Sequence, residues 1–506
     1  MSFDNTTRRD VLRGVAAGTA SLTFAGYASA GDANRYLVTT RGQGAANELE
    51  RNGFAVRRSL AGGDVLVVAG SDDPATVRGV GSAVRDARFR LERPEVTGTA
   101  EEEAATDEES YYPLQWDKQT TNVADAHGTT TGEGSTVAII DTGTDLDHPD
   151  LAPNAVPGAL FRRVAGGSDG LADPLGDGLY AGETDVRVPA GPDLESYAVT
   201  NYDGATVGYG PGGFDVDTRD ASDDVEGHGS HVSGIAAASV GEAVFPGFTG
   251  VAGTAPDAAI VPHRVFYWER REVTYAPEEG EEVTEELVVT STTTADILAA
   301  IDFAANELGV DAMNLSIGTP PLPPRLNREG FRQAYRLVVQ DAVNAGSVVV
   351  VSAGNSDTEL NKGGVFTVPN SVPGAMSVAA TGPNDERAFY SNYGANELDI
   401  AAPGGAYETL AKTLSTATEW PFPTNLVIST TPPDIYGAPY AYFAGTSMAA
   451  PQVAGAAALV ASTGEWSPSQ IESVLERTSK SATGTDRREL GSGVLDVAGA
   501  VETADD

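Results

Sequence analysis

Three short segments of the sequence carry residue types that together can perform nucleophilic catalysis. Asp141 follows an apolar run at 137–140, His228 stands between two glycines, and Ser447 lies in a segment at 445–451 that leads into an alanine-rich run. A serine hydroxyl becomes a strong nucleophile when a neighbouring base removes its proton, and histidine is the usual base. A carboxylate bound to the other ring nitrogen holds the histidine in the required tautomer. The three segments therefore predict a nucleophile, a base and an orienting acid.

Each of these segments also has an ordinary structural explanation when it is taken alone. Asp141 could begin a turn, and Ser447 could be a plain helix N-cap. His228 and His231 are three residues apart and could bind a metal ion, but Gly229 stands where a zinc-protease helix carries glutamate. The segments are informative because they occur together, in the order Asp, His, Ser.

The three segments resemble the Asp, His and Ser boxes of the subtilisin-like serine peptidases, or subtilases, whose catalytic residues follow the same chain order. The segment at 313–318 resembles the family's substrate-binding strand, and the segment at 351–355 resembles its oxyanion-hole segment. Thr367-Val368-Pro369 resembles the turn beside the first specificity pocket, where the family often has a cis proline. The resemblance runs from about Tyr111 to Val501.

The resemblance implies a role for each matching residue. Asp141, His228 and Ser447 would form the catalytic triad, and the amide of Asn355 would stabilise the oxyanion. Backbone groups of Ser316 and Gly318 would pair with an extended substrate, as in other strand-addition sites. The second histidine of the His box, His231, is expected to be structural, and no residue is predicted to bind a metal.

Strands and helices alternate along most of the chain and must position these residues. Such alternation predicts an α/β fold with a doubly wound, mostly parallel sheet and helices on both faces. Ligands of such sheets bind beyond the carboxyl ends of the strands, which is where Asp141 is expected. Strands are predicted at 136–140, 260–266, 312–317, 347–351, 376–380 and 398–401, and helices at 295–308, 331–345, 447–462 and 468–478.

The sequence before this region divides into two parts. Residues 1–30 contain Arg8 and Arg9, a weakly apolar stretch and Ala28-Ser29-Ala30, which together predict a signal peptide of the twin-arginine type. Residues 31–95 have the order βαββαβ of a small α+β split-βαβ domain, with helices at 45–52 and 74–84 and a last strand at 87–93. By its pattern and position this domain is similar to the inhibitory propeptide of subtilases.

An acidic linker is predicted at 96–110, and the peptidase domain is predicted at 111–506. Two insertions, at 155–224 and 268–292, are expected to be surface loops of that domain. The second falls where the family has a strand edge that lines the substrate groove. An acidic loop there could favour basic or flexible substrates or shield the cleft, and a solvated surface loop is the favoured interpretation.

The charge balance is strongly acidic. The chain has 32 basic and 72 acidic residues, a net charge of -40, and no cysteine. This sign excludes binding to the backbone of nucleic acids or to anionic membranes, and no segment predicts a membrane span. Strong acidity with only four lysines (Lys118, Lys362, Lys412 and Lys480) is typical of a halophilic, halolysin-like protein, whose charges are screened by salt. An acidic secreted protein without salt adaptation is the alternative.

We therefore expect an extracellular serine endopeptidase, made as a monomeric precursor that its own propeptide inhibits and that cuts protein or peptide substrates. Cleavage in the acidic linker, before about Ser110, would release the activity. A catalytically silent binding protein on the same fold and another serine hydrolase, such as an esterase, are the competing interpretations.

No cofactor is required for this chemistry, whereas structural calcium stays an open possibility. Asp150 and Gln115 align with ligands of a common subtilase calcium site. The asparagine-rich loop that completes that site is not evident at 240–246. Composition cannot decide the matter, since oxygen ligands abound in this chain.

Overall fold

The computed structural model describes most of the chain from Arg35 onward, and the predicted signal peptide at 1–30 lies outside the described residues. No helix within the described part has both the length and the apolarity needed to cross a bilayer. The described residues are 35–42, 44–90, 96–99, 111–156, 158–161, 179–181, 187–188, 198–200, 206–208, 219–220, 222–224, 226–240, 250–275, 283–328, 330–415, 424–480 and 487–505.

The N-terminal domain, residues 35–85, is a four-stranded antiparallel sheet with one helix. Its strand order is β2-β3-β1-β4, which is the split-βαβ arrangement predicted from the sequence. The elements are β1 (Arg35–Thr40), α1 (Ala45–Arg51), β2 (Ala55–Leu60), β3 (Val65–Ala69) and β4 (Val80–Arg85).

The second predicted helix of this domain, at 74–84, was wrong. A single 3₁₀ turn, Pro74–Thr76, is followed by β4. Gly79 has φ +92°, which no α-helix allows, and a second glycine at 81 further weakens a helix at this place. The last strand, predicted at 87–93, is the short strand β5 (Arg88–Arg90), which leaves the domain and pairs elsewhere.

The remaining elements alternate along the chain. The strands are β6 (Val96–Thr99), β7 (Thr136–Asp141), β8 (Ala159–Phe161), β9 (Leu179–Ala181), β10 (Arg187–Val188), β11 (Ala198–Thr200), β12 (Thr206–Gly208), β13 (Arg219–Asp220), β14 (Ala259–Arg264), β15 (Tyr267–Tyr275), β16 (Val283–Thr293), β17 (Ala312–Leu315), β18 (Val348–Ser352), β19 (Ala375–Thr381), β20 (Ile400–Pro403), β21 (Val427–Thr430) and β22 (Tyr440–Ala444). The helices are α2 (Trp116–Thr120), α3 (Val123–Ala126), α4 (His228–Ala237), α5 (Thr294–Phe303), α6 (Pro324–Arg328), α7 (Phe331–Ala345), α8 (Leu410–Thr413), α9 (Pro433–Tyr436), α10 (Thr446–Ser462), α11 (Pro468–Thr478), α12 (Arg487–Leu490) and α13 (Val497–Asp505).

The predicted doubly wound sheet is the centre of the large domain. It has eight strands in the order β20-β19-β18-β17-β7-β14-β8-β9, and all neighbours are parallel except β8 and β9. Alternate residues of β7 face opposite cores. Val137 and Ile139 pack with α4 and α10, whereas Ala138 and Ile140 pack with α5 and α7. The α/β fold with helices on both faces is therefore confirmed.

The predicted surface loop at 268–292 is instead an antiparallel hairpin of β15 and β16. β16 runs for 11 residues and is rich in threonine and valine, which favour strands. Its last residues, at 291–293, precede α5 directly and pair with β5. The other predicted insertion, 155–224, is described only in part, and β8 and β9 from it extend the main sheet.

The first residues of the predicted acidic linker also form a strand. Val96–Thr99 is uncharged, and three of its four residues are β-branched. As β6 it pairs with β22 in a three-stranded sheet of order β21-β22-β6. The acidic run of the linker begins at Glu101, outside the described residues.

The N-terminal domain packs against the large domain through one face of its sheet. Leu37, Val65 and Val67 belong to the same buried apolar cluster as residues of α5 and α7. The opposite face of the sheet packs on α1 instead. Docking of the N-terminal domain therefore buries apolar surface of both domains.

Candidate active site

Three neighbouring strands bring the candidate residues to one edge of the main sheet. Asp141 is the last residue of β7, Ser316 follows β17, and Asn355 follows β18 by three residues. These strands are parallel, so their carboxyl ends lie side by side. This edge is where open α/β sheets place their ligands.

The carboxylate of Asp141 contacts the imidazole of His228. Asp141 Oδ1 lies 2.7 Å from His228 Nδ1, and the side chains of both residues are fully buried. The same Oδ1 accepts a hydrogen bond of 2.7 Å from the backbone N–H of Thr142. Because Nδ1 faces the carboxylate, Nε2 is the ring nitrogen left to act as a base.

Two glycines let the end of β7 and the start of α4 approach each other. A Cβ atom on Gly229 would lie 2.0 Å from the carbonyl oxygen of Gly143, and one on Gly143 would lie 2.4 Å from the carbonyl oxygen of Asp223. Gly143 also has φ +114°, which favours glycine. The glycines beside Asp141 and His228 are therefore required by direct backbone contact between the two segments.

Asp224 supports this pair, although the sequence did not single it out. Its fully buried carboxylate accepts hydrogen bonds from the N–H of Gly227 and from both the N–H and the hydroxyl of Ser230, at 2.6–2.8 Å. It also accepts from Thr142 Oγ1 at 2.8 Å. An acidic residue just before a helix was the available signal, since such residues stabilise helix N-termini.

Ser447 lies in the first turn of α10 and is held by Ser316. Ser447 Oγ donates to the carbonyl oxygen of Ser316 at 3.2 Å, and Ser316 Oγ donates to the carbonyl oxygen of Ser447 at 2.7 Å. The amide of Asn314 donates in turn to Ser316 Oγ at 3.0 Å. The side chain of Ser316 therefore positions the serine backbone, a role that the sequence did not predict.

The amide of Asn355 has a fixed orientation. Its Oδ1 accepts hydrogen bonds from the N–H and the hydroxyl of Thr446, at 2.9 and 2.8 Å. The Thr446 hydroxyl also accepts from the N–H of Gly354 at 3.1 Å. Because Oδ1 is used in this way, the Nδ2 donor of Asn355 faces the other side of the amide.

A second asparagine holds the loop that carries Asn355. Asn392 Oδ1 accepts from the N–H groups of Ser356 and Thr358, and its Nδ2 donates to the carbonyl oxygen of Ala353 at 2.8 Å. Its own N–H donates to the carbonyl oxygen of Gly354 at 2.9 Å. No motif marks Asn392 in the sequence, because its partners become neighbours only in the folded chain.

Gly318 lies next to the predicted turn at 367–369. Thr319, the residue after Gly318, donates its N–H to the carbonyl oxygen of Val368 at 3.0 Å. The Val368–Pro369 peptide bond is cis, as the resemblance implied. Gly318 is half-buried. Among the described residues that are not adjacent to it in sequence, only Val368, through its carbonyl oxygen, would lie within 4 Å of an added Cβ.

A buried lysine ties the two helices that carry His228 and Ser447. Lys118 Nζ donates to the carbonyl oxygen of Ile235 in α4 at 2.9 Å and to Gln452 Oε1 in α10 at 2.6 Å. Asp117 Oδ2 lies 3.4 Å from the same Nζ. Burial lowers the pKa of Lys118 to about 8, against the opposing effect of Asp117.

His231 is a structural residue of the core. Its Nε2 lies 3.1 Å from the carbonyl oxygen of Ala441, and its ring stacks on Phe443 with centroids 4.1 Å apart. Burial lowers its pKa to about 3, so the ring is neutral. In the described part of the chain, no group of three or more histidine, aspartate or glutamate residues is arranged to hold a metal ion.

The two residues aligned with a subtilase calcium site have other partners. Asp150 Oδ2 accepts from the N–H of Val251 and from the hydroxyl of Tyr440, both at 2.9 Å. The amide of Gln115 exchanges two hydrogen bonds of 2.8 Å with the backbone of Ala252. Burial raises the pKa of Asp150 to about 6, against the opposing hydrogen bonds from Val251 and Tyr440.

Comparison with solved structures places this arrangement among proteases. A protease from Pseudoalteromonas arctica is 28% identical, with a TM-score of 0.52 over 79% of this chain and 100% of that chain. The epidermin leader peptide processing serine protease of Staphylococcus aureus has a TM-score of 0.60 over 94% of this chain and 99% of that chain. At 20% identity the second likeness shows the fold alone.

Sequence comparison gives the family. Thermitase of Thermoactinomyces vulgaris is 29% identical over 358 residues, 70% of this chain and 84% of that protein. The extracellular basic protease of Dichelobacter nodosus is 29% identical over 376 residues, 73% of this chain, but the match spans only 51% of that relative's length. The model described as the subtilase family matches residues 132–493, which is more than half of the chain. The chain therefore belongs to the subtilase family.

Proposed function

We propose that this chain is the self-inhibited precursor of an exported serine endopeptidase. The observation that carries the proposal is the contact of 2.7 Å between Asp141 and His228, at the sheet edge that also holds Ser447 and Asn355. Every group needed for acyl transfer comes from a side chain or backbone group of this chain. No cofactor is therefore assigned to the reaction.

The reaction proceeds by two acyl transfers. His228 Nε2 takes the proton of Ser447 Oγ as the oxygen attacks the substrate carbonyl, and Asp141 stabilises the imidazolium that forms. The imidazolium gives the proton to the leaving amine, and the C–N bond breaks to leave an acyl-enzyme. Water then attacks the ester as His228 accepts a proton from it. The imidazolium returns that proton to Ser447 Oγ as the C–O bond breaks, which releases the acid product and restores the neutral histidine.

Asn355 and the start of α10 stabilise the oxyanion of each tetrahedral intermediate. Thr446 fixes Asn355 Oδ1, so the Nδ2 donor is already oriented before substrate binds. Ser447 lies in the first turn of α10, where backbone N–H groups have no partner within the helix. Preorganised donors of this kind stabilise the transition state without a reorganisation step.

The N-terminal domain acts in this proposal as an intramolecular inhibitor and folding aid. Asp86, just after β4, accepts a hydrogen bond of 2.9 Å from the N–H of Ala295, at the start of α5. The guanidinium of Arg35 lies 3.3 Å from Asp86 and 3.5 Å from Asp296, and all three side chains are buried. These contacts support the assignment, because they join the two domains through three charged side chains that are buried where the domains meet.

Export and maturation complete the proposal. Arg8 and Arg9 would direct export of the folded precursor by the twin-arginine route, and cleavage before about Ser110 would release the enzyme. N-terminal sequencing of the secreted protein tests this step. A mature chain that begins at Gly31 would contradict the assignment of residues 31–95 to a propeptide.

Two assays on purified secreted protein separate the enzyme from its alternatives. A fluorophosphonate probe labels any activated serine, and casein hydrolysis reports endopeptidase activity. The proposal expects labelling of Ser447 and casein cleavage. An esterase would be labelled without cutting casein, and a catalytically silent binding protein would do neither.

A further inference from the structure

One of the four lysines of the chain is completely buried between α4 and α10, the helices that carry the base and the nucleophile. Lys118 Nζ donates hydrogen bonds to the carbonyl oxygen of Ile235 at 2.9 Å, to Thr254 Oγ1 at 3.0 Å and to Gln452 Oε1 at 2.6 Å. An ammonium group has three donors and no acceptor. The hydrogen-bonding capacity of Lys118 is therefore fully used inside the protein.

The acceptors of Lys118 belong to both helices. Ile235 lies in the last turn of α4, where carbonyl groups have no partner within the helix and a positive charge is favourable. It follows His228 by seven residues, which is about 10 Å along the helix axis. Gln452 lies in the second turn of α10, five residues after Ser447. The amide of Gln452 has a fixed orientation, since its Nε2 donates to Asp117 Oδ2 at 2.6 Å.

The two helices are in direct contact beside the lysine. A Cβ atom on Gly455 of α10 would lie 2.7 Å from the carbonyl oxygen of Ala236 in α4, and 2.7 Å from Thr254 Cβ. The N–H groups of Thr254 and Ala255 donate to the carbonyl oxygens of Ile235 and Ala236, at 3.0 and 2.9 Å. Closely packed interiors transmit displacements. A change in the bonds of Lys118 would therefore move one helix relative to the other.

The stability of the fold does not explain a lysine at this position. Burial lowers the pKa of Lys118 from 10.5 to about 8, against the opposing effect of Asp117, so the folded state disfavours the positive charge. Replacing a buried ion pair with apolar side chains of similar volume is often neutral or even stabilising in proteins. A fixed link between two helices gives the lysine a purpose that an apolar residue could not serve.

We propose that Lys118 is a positioning residue of the catalytic site, which holds α4 against α10 and so keeps His228 Nε2 aligned with Ser447 Oγ for proton transfer. This inference rests on the proposed function, since the alignment matters only for that reaction. Lys118 touches neither the substrate nor the reacting atoms. A displacement of about 1 Å between reacting groups can cost on the order of 100-fold in rate. The loss should therefore act on kcat, because the substrate groove itself is unchanged.

Two variants of the mature enzyme, processed in trans, test this role on a short peptide substrate. Gln452→Met removes the bond from the lysine to α10 but leaves Asp117 beside Lys118, so no charge is stranded. The double variant Asp117→Asn with Lys118→Met removes both charges of the buried pair together. We expect kcat to fall roughly 10-fold in the first variant and 10- to 100-fold in the second, with KM unchanged.

The rate at which a fluorophosphonate probe labels Ser447 gives an independent measurement. The probe reacts with the activated hydroxyl without a bound peptide, so its rate should fall by about the same factor as kcat. The final extent of labelling counts the folded enzyme and should equal that of the wild type.

Ser347→Ala is the matched control for the loss of a buried hydrogen bond. Its hydroxyl donates to the carbonyl oxygen of Val310 at 2.6 Å, at the amino end of β18 and away from the site. This variant should have a lower melting temperature but the kcat and the labelling rate of the wild type.

A wild-type kcat and labelling rate in either folded variant would overturn the proposal, and so would a raised KM with an unchanged kcat. If the double variant does not fold, Gln452→Met decides by the same criteria. Failure of the wild-type enzyme to cut any peptide would contradict the proposed function instead, so the two failures are distinguishable.

Discussion

Asp224 Oδ1 accepts a hydrogen bond of 2.8 Å from Thr142 Oγ1, which joins the loop before α4 to the residue that follows Asp141. Thr142 Oγ1 in turn accepts from the N–H of Gly229, also at 2.8 Å. The acid and the base of the candidate triad are therefore held together by their direct contact and also by these hydrogen bonds between neighbouring residues. Asp224 touches neither reacting group and is a positioning residue.

Replacing Asp224 should impair the chemical step more than substrate binding. Asp224→Asn keeps the shape of the side chain but replaces one acceptor oxygen with an NH2 donor. That donor would face the N–H groups that the carboxylate binds in the parent protein. An unsatisfied buried donor costs about 1–3 kcal/mol, so kcat should fall roughly 10- to 100-fold while KM stays the same. Steady-state kinetics measures both values, and the exposed Asp125→Asn is the control. Lower thermal stability with unchanged kcat would show that the role of Asp224 is only structural.

Asn355→Ala should remove one donor to the oxyanion. We expect kcat to fall about 100- to 1,000-fold with KM little changed, because the donor acts on charge that develops in the transition state. Thr446→Val should have a smaller effect of the same kind, since it loses the hydroxyl that orients Asn355. The exposed Asn306→Ala serves as the control. A KM effect without a kcat effect would place Asn355 in ground-state binding instead.

Glu472 should make the fold less stable as the pH rises. Burial, followed by the negative charges of Asp399 and Glu476, raises its pKa from 4.5 to about 7. Between those two values the folded state holds a proton that the unfolded state has released, so stability is present at low pH and is lost as pH rises towards 7. Glu472→Gln should therefore be more stable than its parent at pH 8, by about 2 kcal/mol, and equal to it at pH 4.

Thermal melting in the Ser447→Ala background measures this difference without self-digestion. The exposed Glu465→Gln is the matched control and should follow the parent at both pH values. A parallel shift of Glu472→Gln at both pH values would mean that packing, and not charge, explains the change.

The net charge of -40 should make stability depend on salt. The Debye length is about 10 Å at 0.1 M salt and about 3 Å at 1 M, so repulsion among surface carboxylates is much weaker in the second buffer. We expect a higher melting temperature and higher activity at 1 M or above. Sucrose at equal osmolality is the control, because it does not screen charge. Equal stability in dilute buffer would refute the halophilic interpretation.

Sequence patterns predicted the elements that have strong local signals. The helices at 331–345 and 468–478 were predicted to the residue. The first has an apolar stripe and glycines at both ends, and the second begins with a capping box formed by Ser467 and Gln470. The sheet and the motif residues at its edge could also be predicted, since buried parallel strands have continuous apolar sequences.

The errors arose where composition hid a pattern or where contacts are formed only in three dimensions. The glutamates at 278–286 suggested a loop and obscured the strand residues on either side of them. The helix predicted at 74–84 does not form, because the positive φ of Gly79 is incompatible with an α-helix. Asn392 binds a loop that is distant in sequence, so its role could be found only from the folded chain. Asp224 had the local signal of an acidic residue before a helix, but its bond to Thr142, 82 residues away, forms only in the folded chain.

The most direct test of the central claim compares peptide hydrolysis by the mature enzyme with that of Ser447→Ala, folded and processed in trans. The account predicts that the variant keeps its melting temperature and its affinity for peptide inhibitors but hydrolyses peptide only at the low residual rate that remains when a triad member is removed. Hydrolysis at the wild-type rate by Ser447→Ala would contradict it.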